Sequence, residues 1–135
     1  MPKRGQSPEA IVLLELLLSS NPEDIRILYN LGMALSDAGK LDRAVRHLSE
    51  AVRLAPDDVN ALVAFGVALH RAGKTAPAAE VLQRAVALDP QNVWAHRNLG
   101  GCLLLQGDVD AALRHLKMAT ELDPTDVQAW WGVAQ

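Results

Sequence analysis

With 135 residues the chain is long enough for one ordinary domain, and half of it is apolar while only 4% is aromatic. Leu, Ala and Val dominate, which suits an all-helical protein. The net charge of −3 is spread along the chain and leaves no nucleic-acid footprint, and the single cysteine, Cys102, excludes an internal disulfide. No run reaches the ~18 continuous apolar residues of a membrane helix, so direct membrane insertion is not expected. Ile11–Leu18 imitates a signal-peptide core behind Lys3 and Arg4. Glu15 interrupts it, however, and no small-residue cleavage site follows before Asn21-Pro22.

A period of 34 residues organises the chain. The opening residues fit it, since Gly5, Ala10 and Pro22 stand 34 before Gly39, Ala44 and Pro56. Residues 1–24 therefore form the second half of a unit, with Ser7 as a helix cap and Pro8 in the first turn. Full units follow at 25–58, 59–92 and 93–126, and 127–135 begin another, all in one solenoid. Within the first unit, Glu23 and Asp24 sit in an opening helical turn. Ile25, Leu28, Leu31 and Leu35 recur at three- and four-residue steps, which is one helix face. Gly39 stops that helix, Asp42 begins a second, and Pro56 ends it. The same pattern predicts helices near 58–71, 75–88, 92–105 and 109–122, with Thr75 as a cap. The short loops make neighbouring helices antiparallel.

Four columns recur without a slip: Gly32/Gly66/Gly100, Gly39/Gly73/Gly107, Ala44/Ala78/Ala112 and Pro56/Pro90/Pro124. With Leu31, Phe65 and Leu99 before the first glycines, and Leu48, Leu82 and Leu116 later, the pattern resembles the tetratricopeptide repeat. The resemblance covers nearly the whole chain. It implies an all-α fold: a right-handed α-solenoid of antiparallel helix pairs, about seven helices long, with first helices on the concave face. One position departs from it. His96 stands where Leu28 and Leu62 supply a bulky apolar residue, and Trp94 is expected to compensate in part.

The family geometry implies a peptide-binding concave face. Arg26, Tyr29, Asn30, Met33 and Asp37 are expected from the first unit, and Asn60, Val63, Ala64, Val67, His70 and Arg71 from the second. Trp94, Arg97, Asn98, Gly101 and Leu105 are expected from the third, with Gln128 and Trp131 continuing the face. Asn30 and Asn98 share a column and resemble the asparagine ladder of O-linked N-acetylglucosamine transferase. An amide there can grip a peptide backbone, or bond locally within the solenoid; Ala64 interrupts the ladder. The two-carboxylate clamp of chaperone co-factors is rejected, because its places hold Tyr29, Met33, Ala64, Trp94 and Asn98. Arg26, Arg71 and Arg97 make the groove locally basic.

No metal or cofactor is implied. His47 and His115 lie two repeats apart, and His70 and His96 lack a third ligand at suitable spacing. No nucleophile–base pair or phosphate loop is present, so no catalysis is expected in this segment. Residues 11–18 are apolar nearly all round, and Trp130 and Trp131 fall on a helix without its mate. Both ends therefore suggest a segment of a longer protein, or pairing with a second copy through the apolar terminal helices. The expected role is a scaffold holding a partner's peptide segment. The alternatives are the substrate-recruiting arm of a larger enzyme, such as a transferase, and an assembly element.

Overall fold

A computed structural model describes residues 8–123. Seven helices follow one another among them: α1 (Pro8–Ser20), α2 (Ile25–Asp37), α3 (Leu41–Leu54), α4 (Val59–Arg71), α5 (Thr75–Leu88), α6 (Val93–Leu105) and α7 (Val109–Leu122). The chain is all-α over this span and builds a helical solenoid. The expectations for Ser7, Gln128, Trp130 and Trp131 lie outside the described residues.

Helix starts and stops follow local chemistry. Asp24, Asp58 and Asn92 precede α2, α4 and α6 and accept from the first-turn amides, Asn92 Oδ1 from Ala95 N at 2.9 Å. Asp24 thus caps from outside the helix instead of lying in its first turn. Asp108 caps α7 in the same way. Thr75 is not a cap: it is the first helical residue of α5, behind Lys74, which makes no side-chain cap bond. At the other end, the N–H of Lys40 donates to the Leu35 carbonyl at 2.8 Å and that of Gly39 to Ser36 at 3.1 Å. This is a Schellman motif, and its left-handed residue, Gly39, has φ +81°.

The pairs α2–α3, α4–α5 and α6–α7 pack as hairpins, and each hairpin packs on the next through α3–α4 and α5–α6. Successive first helices also touch, α2 with α4 and α4 with α6. The backbones of the second helices α1, α3, α5 and α7 stay farther than 8 Å apart, Cα to Cα. One layer is therefore drawn together and the other splayed, which places α2, α4 and α6 on the inner side of the curve.

The core is a continuous stripe of Leu and Ala, with Leu31, Leu48, Leu82 and Leu99 fully buried. Glycine lets the paired helices approach. A Cβ on Gly66 would lie 2.6 Å from Leu82 Cγ, and one on Gly100 the same distance from Leu116 Cγ. An ion pair between Arg43 and Glu15 ties α3 to α1. Among the described residues no buried side-chain polar atom lacks a partner.

Candidate functional site

The inner faces of α2, α4 and α6 enclose a groove of about 870 Å³. Helical spacing aims successive residues of each first helix into it. On α6 these are Trp94, Arg97, Asn98, Gly101 and Leu104, recurring at three- and four-residue steps. Of the residues expected there, Tyr29, Met33, Asp37, Asn60, Val63, Ala64, Val67, His70 and Arg71 also line it.

Three expected residues do not. Arg26 is exposed in the first turn of α2, 3.6 Å from the cap residue Asp24. Asn30 and Leu105 are exposed and are not among the groove-lining residues. Asn98 does line it, with its Nδ2 donating to the Trp94 carbonyl at 2.8 Å, the local bond open to such an amide. The two asparagines are therefore not brought together as a ladder. Ser36, Leu104, Asn92 and Leu116 also line the groove. Ser36 and Leu104 share the column of His70, so strict column reading would have found them. Asn92 follows the cap column. Leu116 comes from a second helix, and no column rule predicts it.

The polar groups of the groove are mostly engaged. Arg71 donates to Ser36 Oγ at 2.9 Å and lies 3.3 Å from Asp37 Oδ1, linking α4 to α2 across one repeat. Burial, aided by the Asp58 carboxylate, raises the Tyr29 phenol above its ordinary value. His70 Nδ1 is 3.5 Å from the sulfur of Cys102 on the neighbouring first helix. Burial pushes that thiol up to about 11, so Cys102 is a protonated core residue.

His96 is answered differently from the sequence expectation. Trp94 is 59% exposed and does not fill its place. His96 is 5% exposed and meets His115 across the α6–α7 hairpin, Nδ1 to Nδ1 at 3.1 Å. A carbonyl only accepts, so the 2.7 Å contact with Pro90 O fixes the His96 proton on Nε2. The bare Nδ1 then accepts from His115 Nδ1–H. The ring centroids are 5.3 Å apart, about one ring width more than the nitrogens, so the nitrogens face each other in line. The 3.1 Å separation is that of a nitrogen–nitrogen hydrogen bond. No group of three or more ligating side chains occurs among the described residues. No helix there is long and apolar enough to cross a membrane.

Stacked helix pairs around an inner groove lined by side chains of three helices are the build of a protein-interaction scaffold. Comparison with known proteins gives this a family. Family models described as Tetratricopeptide repeat match residues 69–135 and, in two further placements, 3–59 and 29–93. The chain belongs to the tetratricopeptide repeat family. Among solved structures, MamA (residues 41-end) from Desulfovibrio magneticus RS-1 is similar, with TM-score 0.86 and 25% identity over 96% of this chain and 73% of that one. YrrB, described as a TPR protein with an unusual peptide-binding site, has TM-score 0.85 and 25% identity over 94% and 66%. MamA MSR-1 reaches 29% identity at TM-score 0.77, over 89% and 69%. None of the curated proteins compared matches this chain.

Proposed function

We propose that the groove between α2, α4 and α6 binds an extended peptide segment of a partner protein, with the units at 25–58, 59–92 and 93–126 as the binding body. The observation that carries this reading is the convergence of three first helices on one open groove with mixed apolar and polar lining. The description of YrrB as peptide-binding supports it by similarity. Trp94 is the large aromatic exposed in the groove, the residue type that most often concentrates interface energy.

Peptides selected from a random displayed library on the folded chain provide the probe. Fluorescence anisotropy should show Trp94→Ala and Val67→Glu each weakening a selected peptide about tenfold or more. Unchanged affinity in both variants would place binding elsewhere on the molecule.

The exposed row on α1 favours a second reading, pairing with another copy. Leu13 and Leu16 are 58% and 63% exposed, and Val12 and Leu17 extend the same apolar surface. Sedimentation velocity should show mass rising with concentration and Leu13→Glu with Leu16→Glu removing the effect. A strict monomer at every concentration eliminates the pairing.

A further inference from the structure

Gly100 and Gly101 follow one another inside α6, and only Gly100 has a packing reason. A Cβ on Gly100 would collide with Leu116, whereas a Cβ on Gly101 would meet nothing within 4 Å. Its backbone is helical, so no special torsion calls for glycine either. An interior glycine weakens a helix relative to alanine, and no contact within the described chain offsets that at Gly101.

The same column holds Met33 on α2 and Val67 on α4, whose side chains line the groove. At Gly101 that lining side chain is missing. Leu116 of α7, behind α6, reaches the groove lining there. Its counterparts Leu48 and Leu82, in α3 and α5, do not. Leu116 is still only 3% exposed, so it lies at the bottom of a notch. Trp94 and Leu104 stand along the same face of α6, and Val67 stands across on α4.

We propose that this notch is the anchor subsite of the groove and takes one bulky apolar side chain of a peptide with acidic neighbouring residues. The proposal rests on the groove reading above and adds the kind of ligand. The apolar anchor follows from Leu116, Trp94, Leu104 and Val67, which are apolar, while Arg97 and Asn98, one turn before Gly101 on the same face of α6, are the polar neighbours of that space. The acidic neighbours follow from charge complementarity. Arg71 and Arg97 line the groove against one carboxylate, Asp37, in a chain whose net charge is −3. A bulky side chain seated against apolar neighbours is also where binding energy concentrates.

The test fills the notch from the protein side. Random-library peptides selected on the natural chain should be enriched in a Leu, Met or aromatic residue beside Asp or Glu. Synthetic versions, each with the anchor or with Ala in its place, are then titrated against the natural chain, Gly101→Ala and Gly101→Leu. Gly101→Leu should weaken anchor-bearing peptides about tenfold or more and leave the Ala versions within about twofold. Both variants should melt no lower than the natural chain, which separates lost binding from lost folding.

Equal loss for anchored and Ala peptides, or no loss, overturns the notch while leaving the groove reading standing. A lower melting temperature for Gly101→Ala also overturns it, because the chain's own atoms would then occupy the space. Failure of the natural chain to enrich any peptide overturns both.

Discussion

The two adjacent glycines of α6 give a stability experiment in which most terms cancel. In Gly100→Ala the new Cβ would sit 2.6 Å from Leu116 Cγ and 2.8 Å from Leu116 Cδ2. Carbon atoms attract best at about 3.5–4.0 Å, so something must shift. Leu116 is 3% exposed, and its Cγ is the branch point of the side chain, so moving it shifts both methyl groups. Overpacking of this kind costs about 1–3 kcal/mol. Exchanging glycine for alanine in a helix interior returns about 1 kcal/mol of propensity, leaving a net loss of up to about 2 kcal/mol. In Gly101→Ala the same propensity gain applies and no clash opposes it, so that variant gains about 1 kcal/mol. The propensity term is common to both, and their difference, about 1–3 kcal/mol, is the clash alone.

Urea unfolding followed by circular dichroism reads this directly. At a slope of ~1–3 kcal/mol/M the two midpoints should differ by roughly 0.3–3 M, about 1 M at the middle of both ranges, with Gly101→Ala the higher. Repeat arrays can unfold in parts, so equal slopes in the two variants are needed before midpoints are compared. Equal midpoints, or the reverse order, would refute the claim that glycine at Gly32, Gly66 and Gly100 serves close helix approach.

Stability should fall as the solution is acidified through the histidine range. Burial, His96 and Arg114 hold His115 below its ordinary value, and burial with Arg46 and Arg43 does the same for His47. Unfolded histidine takes up its proton near 6.5, before the folded state does. The contribution is therefore full above about 6.5 and is lost as pH falls below it. His96→Leu with His115→Val copies the Leu62 and Val81 of the preceding pair and should flatten part of that slope, leaving the part from His47. A urea midpoint unchanged between pH 7.5 and 5.5 would contradict this.

Cys102 should resist thiol reagents at pH 8 in the folded chain and react on unfolding, because it is buried and its thiol is pushed up to about 11. Rapid reaction under native conditions would count against its packing. Asp58→Ala should remove the cap of α4 and cost ~1 kcal/mol, measured by thermal melting, whereas Asp58→Asn should be nearly neutral.

The period made the helix pairs legible because each column does one physical task. Glycine at Gly39 takes a left-handed torsion, alanine at Ala44 and Ala78 sits fully buried, and leucine at Leu48 and Leu82 fills the space beside a glycine. Cap positions were less legible. A carboxylate in a first turn and one just before it both favour the helix dipole, and only the backbone torsion of Asp24 separates them. Most of the groove was legible too, since a residue's column fixes its direction. Arg26 and Asn30 fell outside because the lining faces of a helix are narrower than a list of its outward residues.

The features that escaped were those where the third hairpin departs from its predecessors. Position by position, His96 looked like a defect in an apolar column, and His115 like an isolated echo of His47. Neither shows its meaning alone. Leu62 and Val81 pack in one cluster across α4–α5, and His96 and His115 occupy the corresponding places across α6–α7. An apolar contact has been exchanged as a unit for one shared proton. A single imidazole there would have left a buried nitrogen unsatisfied, at a cost of about 1–3 kcal/mol, so the two substitutions are physically tied. The same hairpin carries the second glycine, Gly101, and the only one of the four leucines in its column, Leu14, Leu48, Leu82 and Leu116, to line the groove. Two departures from the column rules thus fall on one pair of helices, one on the face where α6 packs on α7 and one on the face toward the groove. The repeat specifies what the hairpins share. What sets this array apart lies where the third hairpin breaks the pattern, and only the three-dimensional pairing of those breaks shows which are compensated within the chain and which leave space for something else.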